Sequence, residues 1–285
     1  MATSDGFLMM IASLRVFFSW VGWLQNVQKG WNDVVKYVRF WQEEQVKYGV
    51  VAGDQIRVLN GPFLDPSSKP NGEVTALDRV SLLAPVVPGK VVCVGVNYAQ
   101  HAREMNHDLP EDPVLFLKPP SALLNPEGEI ERPAMSRRVD YEGELVVVMG
   151  RKVSKAAEEE AMAAVFGYTC GNDVTARDLQ QKDGQWTRAK SFDTFCPIGP
   201  WVVTDFDPKA AAIRTLLNGE VKQSSNTRHF LNPLPKLLSF ISQVMTLSPG
   251  DIVMTGTPEG VGPMRSGDQV IVQIEGIGEL RNRVK

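Results

Sequence analysis

Short apolar runs recur along this chain at strand length, and few stretches carry the longer periodicity of a helix. "VLFLK", "ELVVVMG", "WVVTDF", "DIVMTG" and "DQVIVQI" are mostly closed by Gly, Pro or a charged residue. Brief apolar runs between turn formers read as buried strands. Helical spacing is confined to "SKAAEEEAMAAVF" at 154–166, a shorter segment beginning near Asp173, "PLPKLLSFISQVM" at 233–245, and the brief polar pattern "AQHAREM". The expected fold class is therefore α+β, dominated by β-strands. The glycine-rich "TGTPEGVGPMRSGD" lacks Gly-Lys-Ser/Thr, so it reads as turns between strands rather than a phosphate loop.

A chain of 285 residues can bury a full core. Residues 36–80 alternate polar and apolar positions around Gly53-Asp54 and Asn60-Gly61, the pattern of β-hairpins, and read as a small N-terminal β unit. The Pro-rich "LLAPVVPGK" leads into a second unit, residues 86–285. Residues 1–34 read as an extension. Its apolar stretch 6–24 contains Arg15 and lacks a basic leader or a small-residue cleavage site, so neither a spanning helix nor a secretory signal is expected. A net charge of −3 offers no basic field for nucleic acid. Cys93, Cys170 and Cys196 are widely separated and form no C-x-x-C pair, which points to a reducing, cytoplasmic location without disulfides.

In "RVDYEGELVVVMG", residues 138–150, Glu142 and Glu144 share one strand face with Val146 and Val148. Two like charges on one buried face call for a cation. In "CGNDVTARDLQQKDGQWTRAKSFDTFCPIGP", a helix starting near Asp173 places Asp173, Arg177 and Gln180 on one side, with Asp173 suited to its N-cap. Glu142, Glu144 and Asp173 together would make a hard oxygen site suited to Mg²⁺ or Mn²⁺. An exposed polar face, or an ion-pair network with Arg177 and Lys190, is the alternative, and burial decides between them.

Several segments in order, "VGVNYAQHAREM", "FLKPPSAL", "VDYEGELVVVMG", "GYTCGNDVTARDLQ", "AKSFDTFCPIGPWV", "LNGEVKQSSNTRHF" and "PGDIVMTGTPEGVGP", resemble the fumarylacetoacetate hydrolase superfamily. The resemblance runs from about Lys36 to the end. It implies a mixed β-sandwich roll holding Mg²⁺ or Mn²⁺ through Glu142, Glu144 and Asp173. It implies Lys190 as a second positive group beside the substrate's keto oxygen. His101 and Glu104 match a lid dyad that activates water or shuttles a proton. Arg177 and Gln180 are expected near the substrate's distal or attacking groups, Gly256 and Thr257 as receivers of a carboxylate, and Asp193 as the orienter of Lys190. His107 and His229 match no catalytic position. The implied activity is on small 2-oxo acids, first C–C hydrolysis of an acylpyruvate or fumarylpyruvate. Isomerisation, tautomerisation or decarboxylation of a related acid is the alternative, and a silent binding protein on the same fold is the alternative of another class. A homodimer is implied, without nucleic-acid or membrane partners.

Overall fold

The computed structural model describes residues 35–104 and 108–285. The expectations for residues 1–34 and for His107 lie outside the described residues. No described helix is long and apolar enough to cross a membrane.

Strands dominate, as the short apolar runs require. A meander of Lys36–Gln42, Gln45–Ala52, Gln55–Leu59 and Pro70–Ala76 pairs edge to edge in chain order. It does not close on itself. Lys36 and Tyr37 pair with Val203 and Val202, so the meander extends one twelve-stranded sheet. Beyond Cys196–Val203 that sheet continues through Val165–Asn172, Gly143–Met149, Ile252–Met254, Val91–Gly95 and Val114–Lys118. A five-stranded sheet is built from Glu220–Asn226, Ala212–Leu217, Gln269–Ile274, Gly278–Val284 and Glu129–Ile130, and a three-stranded one joins Val139–Tyr141 to Thr175–Ala176 and Gly262–Met264.

Every residue of Gly143–Met149 is buried, which is why this strand reads as a continuous apolar run once its acids are passed. Val146 and Val148 join one core cluster with Val91, Cys93, Ile252 and Met254. Burying a side chain of that size stabilises by about 1.5 to 3 kcal/mol. The acids of this segment are therefore anchored to a fully buried strand of the core.

Among the described residues the α-helices are α1 (Ala99–Glu104), α2 (Glu158–Ala163), α3 (Arg177–Asp183), α4 (Thr187–Lys190) and α5 (Leu234–Val244). The helix expected at 233–245 is present as α5. The one expected at 154–166 shrinks to α2, because the β-branched and aromatic residues that follow pair as Val165–Asn172 with Gly143–Met149. The helix expected to start near Asp173 begins at Arg177. The strand runs on to Asn172, and Thr175–Ala176 pairs with Val139 and Asp140 before the chain can coil. Asp173 is thus not a helix cap: the residue preceding α3 is Ala176.

Candidate active site

Glu142 occupies the break between Val139–Tyr141 and Gly143–Met149, where the chain passes from the small sheet to the large one. Its N–H donates to Asn172 Oδ1 at 2.9 Å, and its carbonyl accepts the Asp173 N–H at 2.8 Å. Those bonds bring Asp173, at the end of the adjacent strand, beside the acids of the first. Gly143 separates Glu142 from Glu144, and a Cβ there would meet Thr215 Oγ1 at 2.1 Å, so only glycine fits between the two acids. Carboxylate oxygens of Glu142, Glu144 and Asp173 lie within 4.8 Å of one another, and all three residues are at most 4% exposed.

Three cations compensate part of this charge. Lys190 Nζ from α4 donates to Glu142 Oε2 at 2.9 Å and to Asp173 Oδ2 at 2.5 Å. Lys118 Nζ donates to the other Asp173 oxygen at 2.5 Å and to the Val174 carbonyl at 3.1 Å. Arg177 donates to Glu142 Oε1, to Asp140 Oδ2 at 2.9 Å and to Gln180 Oε1 at 2.6 Å. Burial pushes the Glu142 carboxyl up, but Lys190 and Arg177 outweigh it and hold the group well below the usual carboxylate range. Burial likewise opposes the Lys190 ammonium, and Asp173 and Glu142 prevail, keeping it a fixed positive charge.

Glu144 differs. Its carboxylate accepts the Gly256 N–H at 2.7 Å, and no cation among the described residues pairs with it. Burial first, then the charges of Asp173 and Glu142, drive its carboxyl well above the ordinary range. Such a group keeps its proton unless a further cation offsets its charge, so the three acids together are a set that could hold one. All the donors are oxygens, and among the described residues no His or Cys joins them, so the set fits Mg²⁺ or Mn²⁺.

A cavity opens over these groups, lined by His101, Glu142, Glu144, Asp173, Arg177 and Lys190, with Phe116 and Trp186 as an apolar wall. The two rings meet edge to face at 5.1 Å, and Lys190 Nζ lies 5.0 Å from the Phe116 ring centre. His101, 8% exposed on α1, places Nδ1 3.2 Å from Glu104 Oε2. Burial lowers the imidazole's affinity for a second proton, which leaves it neutral and able to accept one near pH 7. Glu104 is itself held by the Gly260 N–H at 3.1 Å.

Of the expected residues, Gln180 and Thr257 also line the cavity, but several expected roles change. Arg177 is not free for a distal substrate group, because its guanidinium is shared between Glu142 and Asp140. Gly256 does receive a carboxylate, yet it is that of Glu144. Its φ of +94° aims that N–H inward. The Thr257 hydroxyl donates to the Gly143 carbonyl at 2.9 Å and is not available to a ligand. Asp193 is exposed and makes no ion pair with Lys190, since Phe192 and Phe195 turn inward on either side and carry it to the surface. His229 is exposed beside Ser225, away from the cavity. Lys118, Asp140 and Gln223 are buried parts of the network that were not anticipated. The one signal for Lys118 is a charge closing the apolar run "VLFLK", which a purely packed strand would not carry.

The family model "Fumarylacetoacetate (FAA) hydrolase C-terminal" matches residues 90–285, and "Rv2993c-like, N-terminal" matches residues 35–85. The chain belongs to the fumarylacetoacetate hydrolase family. Every cavity residue named above falls within the hydrolase-family domain. Among its relatives, Protein Rv2993c of Mycobacterium tuberculosis is 50% identical over 230 residues, covering 80% of this chain and 86% of that protein. The mitochondrial oxaloacetate tautomerase FAHD2A of Bos taurus is 46% identical over 219 residues, covering 72% of this chain and 70% of that protein. The crystal structure of 2-hydroxyhepta-2,4-diene-1,7-dioate isomerase from Mycobacterium marinum is 42% identical, with a TM-score of 0.81 over 88% of this chain and 98% of that one. Members of the fumarylacetoacetate hydrolase family are enzymes, with hydrolase, isomerase and tautomerase among their names.

Proposed function

We propose that this chain is an enzyme that relocates a proton on a small 2-oxo acid, a tautomerase or isomerase of the keto–enol type. The observation that carries this reading is the buried His101, oriented by Glu104 at 3.2 Å and facing the same cavity as the three buried acids and Lys190. A Mg²⁺ or Mn²⁺ held by Glu142, Glu144 and Asp173 would supply Lewis acidity toward a keto oxygen and its neighbouring carboxylate.

The chain's own groups do the rest. With Nδ1–H donated to Glu104, the imidazole of His101 offers Nε2 as the base that removes a proton from the carbon beside the keto group. Glu104 stabilises the imidazolium that results, and Gly260 keeps Glu104 in place. Lys190 contributes a permanent positive charge to the wall where enolate charge develops, preorganised by its bonds to Glu142 and Asp173. Phe116 and Trp186 exclude water from that side and strengthen these electrostatic effects. Returning the proton from His101 to a different atom of the substrate completes the tautomerisation.

The names of the bovine tautomerase and the M. marinum isomerase support this reading equally with the family's hydrolase name. C–C hydrolysis is the second reading, favoured by the same observation, because a neutral His101 activates water as readily as it removes a carbon-bound proton. The proposal includes a homodimer in the cytoplasm. The deciding assay follows oxaloacetate, an acylpyruvate and a hydroxydienedioate by proton NMR with Mg²⁺ present, a diamagnetic ion that leaves the signals sharp. Accelerated keto–enol or double-bond exchange without new carboxylates is expected. Release of two carboxylic fragments would make the chain a hydrolase, and no turnover of any substrate would refute both readings.

A further inference from the structure

Gln223 lies in Glu220–Asn226, a strand of the five-stranded sheet, and its side chain is completely buried. A core position of that kind is ordinarily apolar, because an amide loses its water without compensation. Here every bond is replaced. Gln223 Oε1 accepts the Gly143 N–H at 2.9 Å, while Nε2 donates to Thr257 Oγ1 and to the Pro258 carbonyl, both at 2.8 Å. The Thr257 hydroxyl closes the ring by donating to the Gly143 carbonyl at 2.9 Å.

The ring therefore grips both backbone groups of the glycine between Glu142 and Glu144 and ties them to the loop whose Gly256 N–H holds Glu144. Four residues farther along, Gly260 of that loop holds Glu104 of the histidine dyad. One buried amide from another sheet thus joins the segment bearing two of the three acids to the loop that supports the dyad. We infer that Gln223 is a positioning residue whose amide sets the spacing of Glu142 and Glu144 for a divalent cation, although it touches neither the cation nor the substrate. The inference rests on the reading of the three acids as a metal site.

Removing a group that orients metal ligands typically costs about 10- to 100-fold in affinity. The test is Mn²⁺ binding to the purified full chain without substrate, by calorimetry or by the free-Mn²⁺ EPR signal, alongside Tm in EDTA. Gln223→Met keeps the volume and loses all three bonds. Thr257→Val breaks the ring from the loop side, and Thr257→Ser restores its hydroxyl. The Met and Val variants should bind Mn²⁺ about 10- to 100-fold more weakly than the parent, and the Ser variant within about 3-fold of it. Should Gln223→Met fail to fold, the contrast between Val and Ser carries the test alone. Parental Mn²⁺ affinity in both weakened variants, with or without a lower Tm, would overturn the inference while leaving the metal site standing. A parent chain that binds no Mn²⁺ would overturn the metal reading and this inference with it.

Discussion

Glu144→Gln should stabilise the metal-free protein and remove the stabilisation that metal gives. The Glu144 carboxylate lies within 4.8 Å of those of Glu142 and Asp173. At an effective dielectric near 20, unit charges at that separation repel by about 3.5 kcal/mol, so the two neighbours together oppose Glu144 by about 7 kcal/mol. The ammonium of Lys190, bonded to both neighbours, and that of Lys118 pull in the other direction. Taking the two lysines to offset about 5 of those 7 kcal/mol leaves on the order of 2 kcal/mol against the charged group, the direction in which burial and its neighbours shift the carboxyl. A glutamine keeps an acceptor for the Gly256 N–H and turns two N–H donors toward the remaining carboxylates. For a unit of this size, 2 kcal/mol raises Tm by about 4 to 8 °C. The assay is calorimetry at pH 7.5, first in EDTA and then with Mn²⁺ at about 100 times the parent's Kd, where the parent should gain about 2.7 kcal/mol. The variant has lost one of three ligands and should gain little, so the order of the two melting curves reverses. A variant that melts below the parent in EDTA, or that gains as much from Mn²⁺, would refute the reasoning.

Asp173→Asn leaves Lys118 and Lys190, with side chains 0% and 2% exposed, facing a neutral amide. Loss of one partner from a buried ion pair costs about 3 to 5 kcal/mol; Lys190 keeps Glu142, so urea unfolding should show a loss near 3 kcal/mol as well as lost turnover, and an unchanged midpoint would contradict the network. His101→Ala should lower kcat by about 10²- to 10⁴-fold with KM within a few-fold of the parent, and equal kcat would remove His101 from the mechanism. The unfolded chain protonates this histidine near pH 6.5, whereas burial delays that uptake in the folded state to lower pH. Stability should therefore rise with pH across the interval from the depressed folded value up to about 6.5 and level off above it, and unfolding curves of His101→Gln should lack that rise. The acid limb of kcat/KM should likewise lie below pH 6.5 in the parent; a limb above it would show that the imidazole is not held neutral by burial.

Residue spacing together with the family resemblance singled out the groups that the structure brings to one cavity. A strand's period of two puts Glu142 and Glu144 on one side, and the structure brings their carboxylates together with that of Asp173. His101 and Glu104 meet because residues three apart share a helix face. Local reasoning failed where long-range pairing captured a segment. Asp173 has the chemistry of a helix cap, but its neighbours Asn172 and Thr175 belong to strands, so its side chain serves the acid cluster instead. Asp193 looked close to Lys190 in sequence, yet the burial of Phe192 and Phe195 sends it to the surface.

The sequence alone determined which groups could do chemistry here: oxygen donors at strand spacing, a histidine with a carboxylate one helical turn away, and a chain too rich in short apolar runs to be mainly helical. Only the tertiary structure decided which charges answer one another. Lys118 reaches Asp173 across 55 residues, Gly256 reaches Glu144 across 112, and Gln223 joins two sheets at Gly143 across 80. No periodicity encodes such partners, because a buried charge or amide is satisfied by whatever the packed sheets bring within about 3 Å, and that depends on the whole topology at once.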